Sequence, residues 1–274
     1  MNNNFDITLD EAIKAIEDYP YLRECFSNHL KWLFENCGNK KKDDHIYFKI
    51  VTGRNSLGSL EKIFEEAGKI LDLNENKLHK AFDFDSASDC NDMLKLGDYL
   101  AELRIAVELG RLGFNEIKKI DNQEGCTDFL TQYQGTKFAI EVKNIREKEL
   151  LEELNNGSYK EEIQFLGELR GAHFGTLPEA EGKSLLVGLE RRFRSPKDQE
   201  RIKKQLKNTI EKYNCQSTML IISIETITGI GLSTYLIEQC LNQVKTKYPF
   251  SDYLACFLSG NDLYTYPKLF METT

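Results

Sequence analysis

Asp128, Glu141 and Lys143 form the most specific arrangement of chemistry-bearing side chains in the sequence; they lie in TDFLTQYQGTKFAIEVK, residues 127–143. An apolar run ending in a carboxylate and an ammonium is costly to bury unless the charges are paired or bound. A two-residue turn at Gly135-Thr136 folds this stretch into a hairpin. In that register Gln134 faces Lys137, Gln132 faces Ala139, Leu130 faces Glu141 and Asp128 faces Lys143. Side chains alternate along strands. Phe129, Thr131, Tyr133, Phe138, Ile140 and Val142 therefore form a core face, and Asp128, Gln132, Glu141 and Lys143 share the other. Asp128 and Glu141 become diagonal neighbours, with Cα atoms roughly 7–8 Å apart. Two carboxylates at that reach can ligate one hard cation through oxygen. The competing reading is a solvated sheet face with an Asp128–Lys143 cross-strand pair, an interaction worth little.

The elements that must hold this hairpin can be read from periodicity. Residues 91–112 form a long helix with apolar stripes on two sides, Leu96/Leu100/Leu103/Val107 and Leu94/Ala101/Ile105/Leu109/Leu112, ended by Gly113. Strands are expected at 114–120, 127–133, 137–143, 185–189, 218–224 and 253–258, and helices at 147–154, 159–170, 197–213 and 233–246. Alternating helices and short apolar strands give an α/β domain with a mixed sheet. Before it, residues 1–88 read as a helical subdomain, with helices over 8–37 broken near Pro20, a short strand at 45–51 and a helix at 59–71. The α/β domain then covers 89–274.

An Asp, then Glu-x-Lys across a hairpin, after a helix written AELRIAVELGRLGF, resembles the PD-(D/E)xK nuclease superfamily. The resemblance covers about residues 92–225, with Glu102 at the family's helical glutamate and Thr127 in place of the name-giving proline. It implies a restriction-endonuclease-like fold and metal-dependent hydrolysis of phosphodiesters. Asp128, Glu141 and the Val142 carbonyl would bind Mg²⁺ or Mn²⁺, which polarises the phosphodiester and activates a water. Lys143 would orient that water and stabilise charge developing on the phosphoryl oxygens. Glu102 would reach the metal directly or through water; its other reading is an exposed surface glutamate. The family often places a Gln or Lys on the helix after Glu-x-Lys, and Lys204 and Gln205 match that position.

The stretch 191–207, RRFRSPKDQERIKKQLK, sets eight cations against two acids in a chain of net charge −8. Arg191, Arg192, Arg194, Lys203, Lys204, Gln205 and Lys207 are thus the expected nucleic-acid-binding set. The alternative is a solvated amphipathic helix. Histidines 29, 45, 79 and 173 show no metal spacing. Gly-rich TGIGLS at 228–233 lacks the Lys of a P-loop. Seven scattered cysteines without Cys-x-x-Cys read as cytosolic thiols. No run nears the ~20 apolar residues of a membrane span, and the start carries no expected signal peptide.

The expectation is a cytoplasmic, Mg²⁺-dependent endonuclease acting on DNA rather than RNA, in a restriction or defence setting. A homodimer or an activating partner protein, contacted through the helical part, is also expected. The alternative is a catalytically silent domain of the same fold that binds nucleic acid or protein.

Overall fold

The structure is a computed structural model that describes residues 8–36, 57–82, 93–120, 125–145, 185–186, 188–191, 193, 195–224, 234–258 and 262–269. Expected features at 45–51, 147–154, 159–170 and 228–233, and residues Arg192 and Arg194, lie outside the described residues. Contacts divide the chain into two compact units, 1–107 and 108–274. The division falls within a helix, whereas a boundary at 88/89 was expected.

The first unit is helical. It contains α1 (Leu9–Ala15), α2 (Pro20–Asn36), α3 (Leu57–Leu71), α4 (Glu75–Ala81) and most of α5 (Met93–Arg111). Thr8 opens α1 with a capping box shared with Glu11. Pro20 begins α2, at the position where its missing N–H costs nothing. The next two amides, Tyr21 and Leu22, donate to the buried carboxylate of Glu61 on α3, each at 3.0 Å. Phe26 and Phe64 meet edge to face at 5.9 Å and form the centre of this packing. Helix α4 was not anticipated, although Asn74 caps it by accepting from the Lys77 amide at 3.0 Å. In α5, Leu100, Ala101, Leu103, Ile105, Ala106, Val107 and Leu109 are all buried, as expected for a helix apolar on two sides.

The second unit is a six-stranded mixed sheet with flanking helices. Strands β1 (Asn115–Lys119), β2 (Phe129–Tyr133), β3 (Thr136–Asn144), β4 (Ser217–Ile224), β5 (Tyr253–Leu258) and β6 (Asp262–Tyr266) lie in sequence order across it. β1, β2 and β3 form an antiparallel meander, β4 and β5 run parallel to β3 and to each other, and β6 turns back antiparallel. Helix α6 (Pro196–Tyr213) lies between β3 and β4 in the chain, and α7 (Thr234–Lys247) between β4 and β5. Ile202 and Leu206 of α6, and Ile237, Leu241 and Val244 of α7, pack with Leu220, Ile222, Leu254 and Cys256 on one sheet face.

Two expectations are corrected here. Leu185, Leu186, Gly188 and Leu189 are helical, not a strand. Leu185, Leu189 and Phe193 recur every fourth residue and are all fully buried against that same face, which suits a helix and not an alternating strand. β6 adds an antiparallel edge strand beyond the last expected one at 253–258.

Candidate metal and phosphodiester site

The hairpin turn falls on Gln134 and Gly135, one residue earlier than expected, so Tyr133 pairs with Thr136 and Gln132 with Lys137. The reason is conformational. Gln134 and Gly135 both have positive φ, 49° and 81°, as a type I′ turn requires at its two central residues. A β-branched Thr136 is poorly suited to that region. The loop keeps two residues, so Leu130 moves opposite Ala139 and Phe129 opposite Ile140. Continuing this register sets Asp128 opposite Glu141, not Lys143. Face parity is untouched, because alternation belongs to each strand. Glu141 and Lys143 remain on the face opposite Phe138, Ile140 and Val142.

That shared face is not solvated. Glu141 is fully buried and Asp128 is 6% exposed. Lys143 pairs with Glu141 through Nζ and Oε1. Glu141 Oε2 has no hydrogen-bond partner among the described residues. Burial first, and then the Asp128 charge, push the Glu141 carboxyl up to about 8, against the pull of Lys143 and Lys119. Burial pulls the Lys143 ammonium down, but Glu141 and Asp128 outweigh it and its pKa is raised.

Asp128 lies one residue before β2, and its main-chain carbonyl already accepts the Ile120 amide at 2.9 Å. Its Oδ2 accepts the Val142 amide at 2.7 Å, and its Oδ1 receives Lys119 Nζ at 3.4 Å. A residue's N–H and C=O point to the same side of a strand. The Val142 carbonyl therefore faces the side on which its amide meets Asp128. Two carboxylates, one of them with an orphaned buried oxygen, beside a main-chain carbonyl are a hard-oxygen set that suits Mg²⁺ or Mn²⁺. No group of three or more His, Cys, Asp or Glu able to hold a metal occurs among the described residues, so Asp128 and Glu141 form a pair without a third acidic or imidazole donor.

The loop before Asp128 is pinned to α6. Gln205 Nε2 donates to the Cys126 carbonyl at 3.2 Å, the Thr127 amide donates to Thr209 Oγ1 at 2.8 Å, and Asn208 Nδ2 donates to the Gly125 carbonyl at 3.1 Å. Gln205 thus stands two residues from Asp128 along the pinned loop, and its own Oε1 has no hydrogen-bond partner among the described residues. Ser195 caps this helix by accepting from the Asp198 amide, and Pro196 follows as its first residue.

The expected phosphate-binding cations are more constrained. Lys203 pairs with Glu200 at 3.1 Å and lies over the Phe250 ring, and Lys207 is 3.8 Å from Glu211. Lys204 is exposed and Arg191 half-buried. Glu102, in the first unit, is 8% exposed, so the reading of an exposed surface glutamate is corrected. Sequence reasoning missed Lys119, Thr209 and Arg201, whose charge pulls the Lys143 ammonium down. Lys119 had no visible signal, because its placement depends on a bulge between Asn115 and Lys118 with Glu116 at φ 50°.

No family model, curated protein or solved structure matches the chain. Function rests on geometry. Among the described residues, no helix is long and apolar enough to cross a membrane.

Proposed function

We propose that this chain is a divalent-metal-dependent nuclease of the restriction-endonuclease-like kind, hydrolysing phosphodiester bonds in DNA. The observation that carries the reading is the meeting of Asp128 and Glu141 across the β2–β3 hairpin, with Lys143 two residues on along Glu141's face. The element order α5–β1–β2–β3–α6–β4, with a meander followed by a parallel strand, supports it as the order the resemblance implies.

A bound Mg²⁺ or Mn²⁺ would polarise the phosphodiester and lower the pKa of a coordinated water. Asp128, Glu141 and the Val142 carbonyl supply its oxygen donors. Lys143 presents an ammonium on the same face, where negative charge on phosphoryl oxygens can be met. Gln205 and Thr209 keep the loop that carries Asp128 in register with β3. Lys204, exposed on α6, is the strongest described cation for holding the nucleic-acid backbone.

One observation favours a second reading. Lys119 and Lys143 already pair with the two carboxyl groups, as they would in a purely structural polar cluster of a silent domain that binds nucleic acid or protein. Incubation with plasmid, linear duplex, single-stranded DNA and RNA, in Mg²⁺, Mn²⁺ or EDTA, separates the two. Cleavage that needs the metal and is lost in Asp128→Asn and Glu141→Gln supports the nuclease. Absence of cleavage under every metal condition favours the silent domain.

A further inference from the structure

Lys119 is the last residue of β1 and pairs in register with Phe129, so its side chain starts on the Phe129 face of the sheet, opposite the face of Glu141 and Lys143. Its Nζ lies over the Phe129 ring at 5.1 Å and reaches Asp128 Oδ1 at 3.4 Å, with the side chain only 4% exposed. An ammonium this deeply buried is held by a carboxylate, not by water. Asp128 is thereby gripped in the plane of the sheet, with the Val142 amide on one oxygen and Lys119 on the other. The same positive charge pulls on the Glu141 carboxyl.

We infer that Lys119 is the resident counter-ion of Asp128, holding Oδ1 in the cation-free protein and yielding it when a divalent cation binds. The inference rests on the metal reading proposed above and adds a determinant of cation affinity to it. A cation shared by Asp128 and Glu141 must approach the oxygen that Lys119 now holds, and two cations repel at such separations in a poorly hydrated site. Lys119 is therefore a positioning residue. It keeps Asp128 aimed and neutralised, and it sets how much free metal is needed to load the site. The bulge between Asn115 and Lys118 is what gives it this place, because regular pairing continued from Asn115 opposite Gln132 would set Lys119 opposite Asp128, on the Glu141 face.

The test is Mn²⁺ binding to the full chain by titration calorimetry at fixed pH. Lys119→Gln should bind Mn²⁺ roughly tenfold more tightly than the parent. Lys119→Arg, which restores the charge, should return the affinity to within about twofold of the parent. Lys118→Gln removes an equal but exposed charge next door, and should leave affinity within about twofold. A structural role alone would loosen Asp128 and weaken binding in Lys119→Gln, so equal or weaker affinity overturns the inference. If that variant does not fold, a crystal structure of the parent with Mn²⁺ decides instead. Lys119 Nζ withdrawn from Asp128 Oδ1 supports the inference, and Nζ still at hydrogen-bond distance overturns it. Absence of Mn²⁺ binding to the parent overturns the metal reading itself, and this inference with it.

Discussion

Replacing Glu141 by Gln should stabilise the protein at neutral and alkaline pH and change little at pH 5. The carboxyl is fully buried and its pKa is raised from 4.5 to about 8, chiefly by burial and then by Asp128. A raised carboxyl pKa means that the folded chain holds a proton which the unfolded chain has released. The stability associated with this group is present below pH 4.5 and is lost as pH rises towards 8. At 1.36 kcal/mol per pH unit, that interval corresponds to about 5 kcal/mol at most. The amide cannot ionise, and it keeps the side chain's shape while removing most of the slope. Urea unfolding of parent and Glu141→Gln at intervals from pH 5 to pH 8.5 measures the difference directly. The gap between the two stabilities should widen by several kcal/mol across this range. Parallel curves would refute the reasoning, because Glu141 would then be ionised in both states throughout and Lys143 would fully offset its burial.

Mn²⁺ should raise the melting temperature of the parent more at pH 8 than at pH 6, because the metal requires the ionised carboxylate; scanning fluorimetry at both values reads this, and equal shifts would count against Glu141 as a ligand. Thr209→Val should lower unfolding free energy by about 1–3 kcal/mol, since it leaves the buried Thr127 amide without its acceptor, and urea midpoints with unchanged slope would record it. Lys204→Glu should weaken DNA binding and flatten the salt dependence of affinity by about one unit per lost phosphate contact. By contrast, Lys203→Gln and Lys207→Gln, whose cations already have acidic neighbours on α6, should have smaller effects in the same salt titration.

The site was legible because its chemistry is written within one hairpin. Strand parity is a property of β3 alone, so Glu141 and Lys143 were assigned to one face despite the misplaced turn. The turn itself was misread by taking Gly135 as its first central residue, whereas its tolerance of positive φ serves the second position after Gln134. The burial of Glu141 could not be read from the hairpin. It depends on α6 and α7 covering that sheet face, contacts made by residues more than fifty positions away. Leu185–Leu189 was taken for a strand because a short apolar run does not show its period; Phe193, one further turn along, was the missing signal. Lys119 is a harder case. Its role depends on one extra residue in β1, and nothing in FNEIKKI announces a bulge.

Titration of Mn²⁺ into the parent, Asp128→Asn and Glu141→Gln, followed by calorimetry, tests most directly whether the two carboxylates share a cation. The parent should bind with one site that requires both side chains, and each single variant should lose the binding while unfolding cooperatively. A parent that binds no Mn²⁺, or a site that persists unchanged in either variant, would contradict a shared metal at the β2–β3 hairpin.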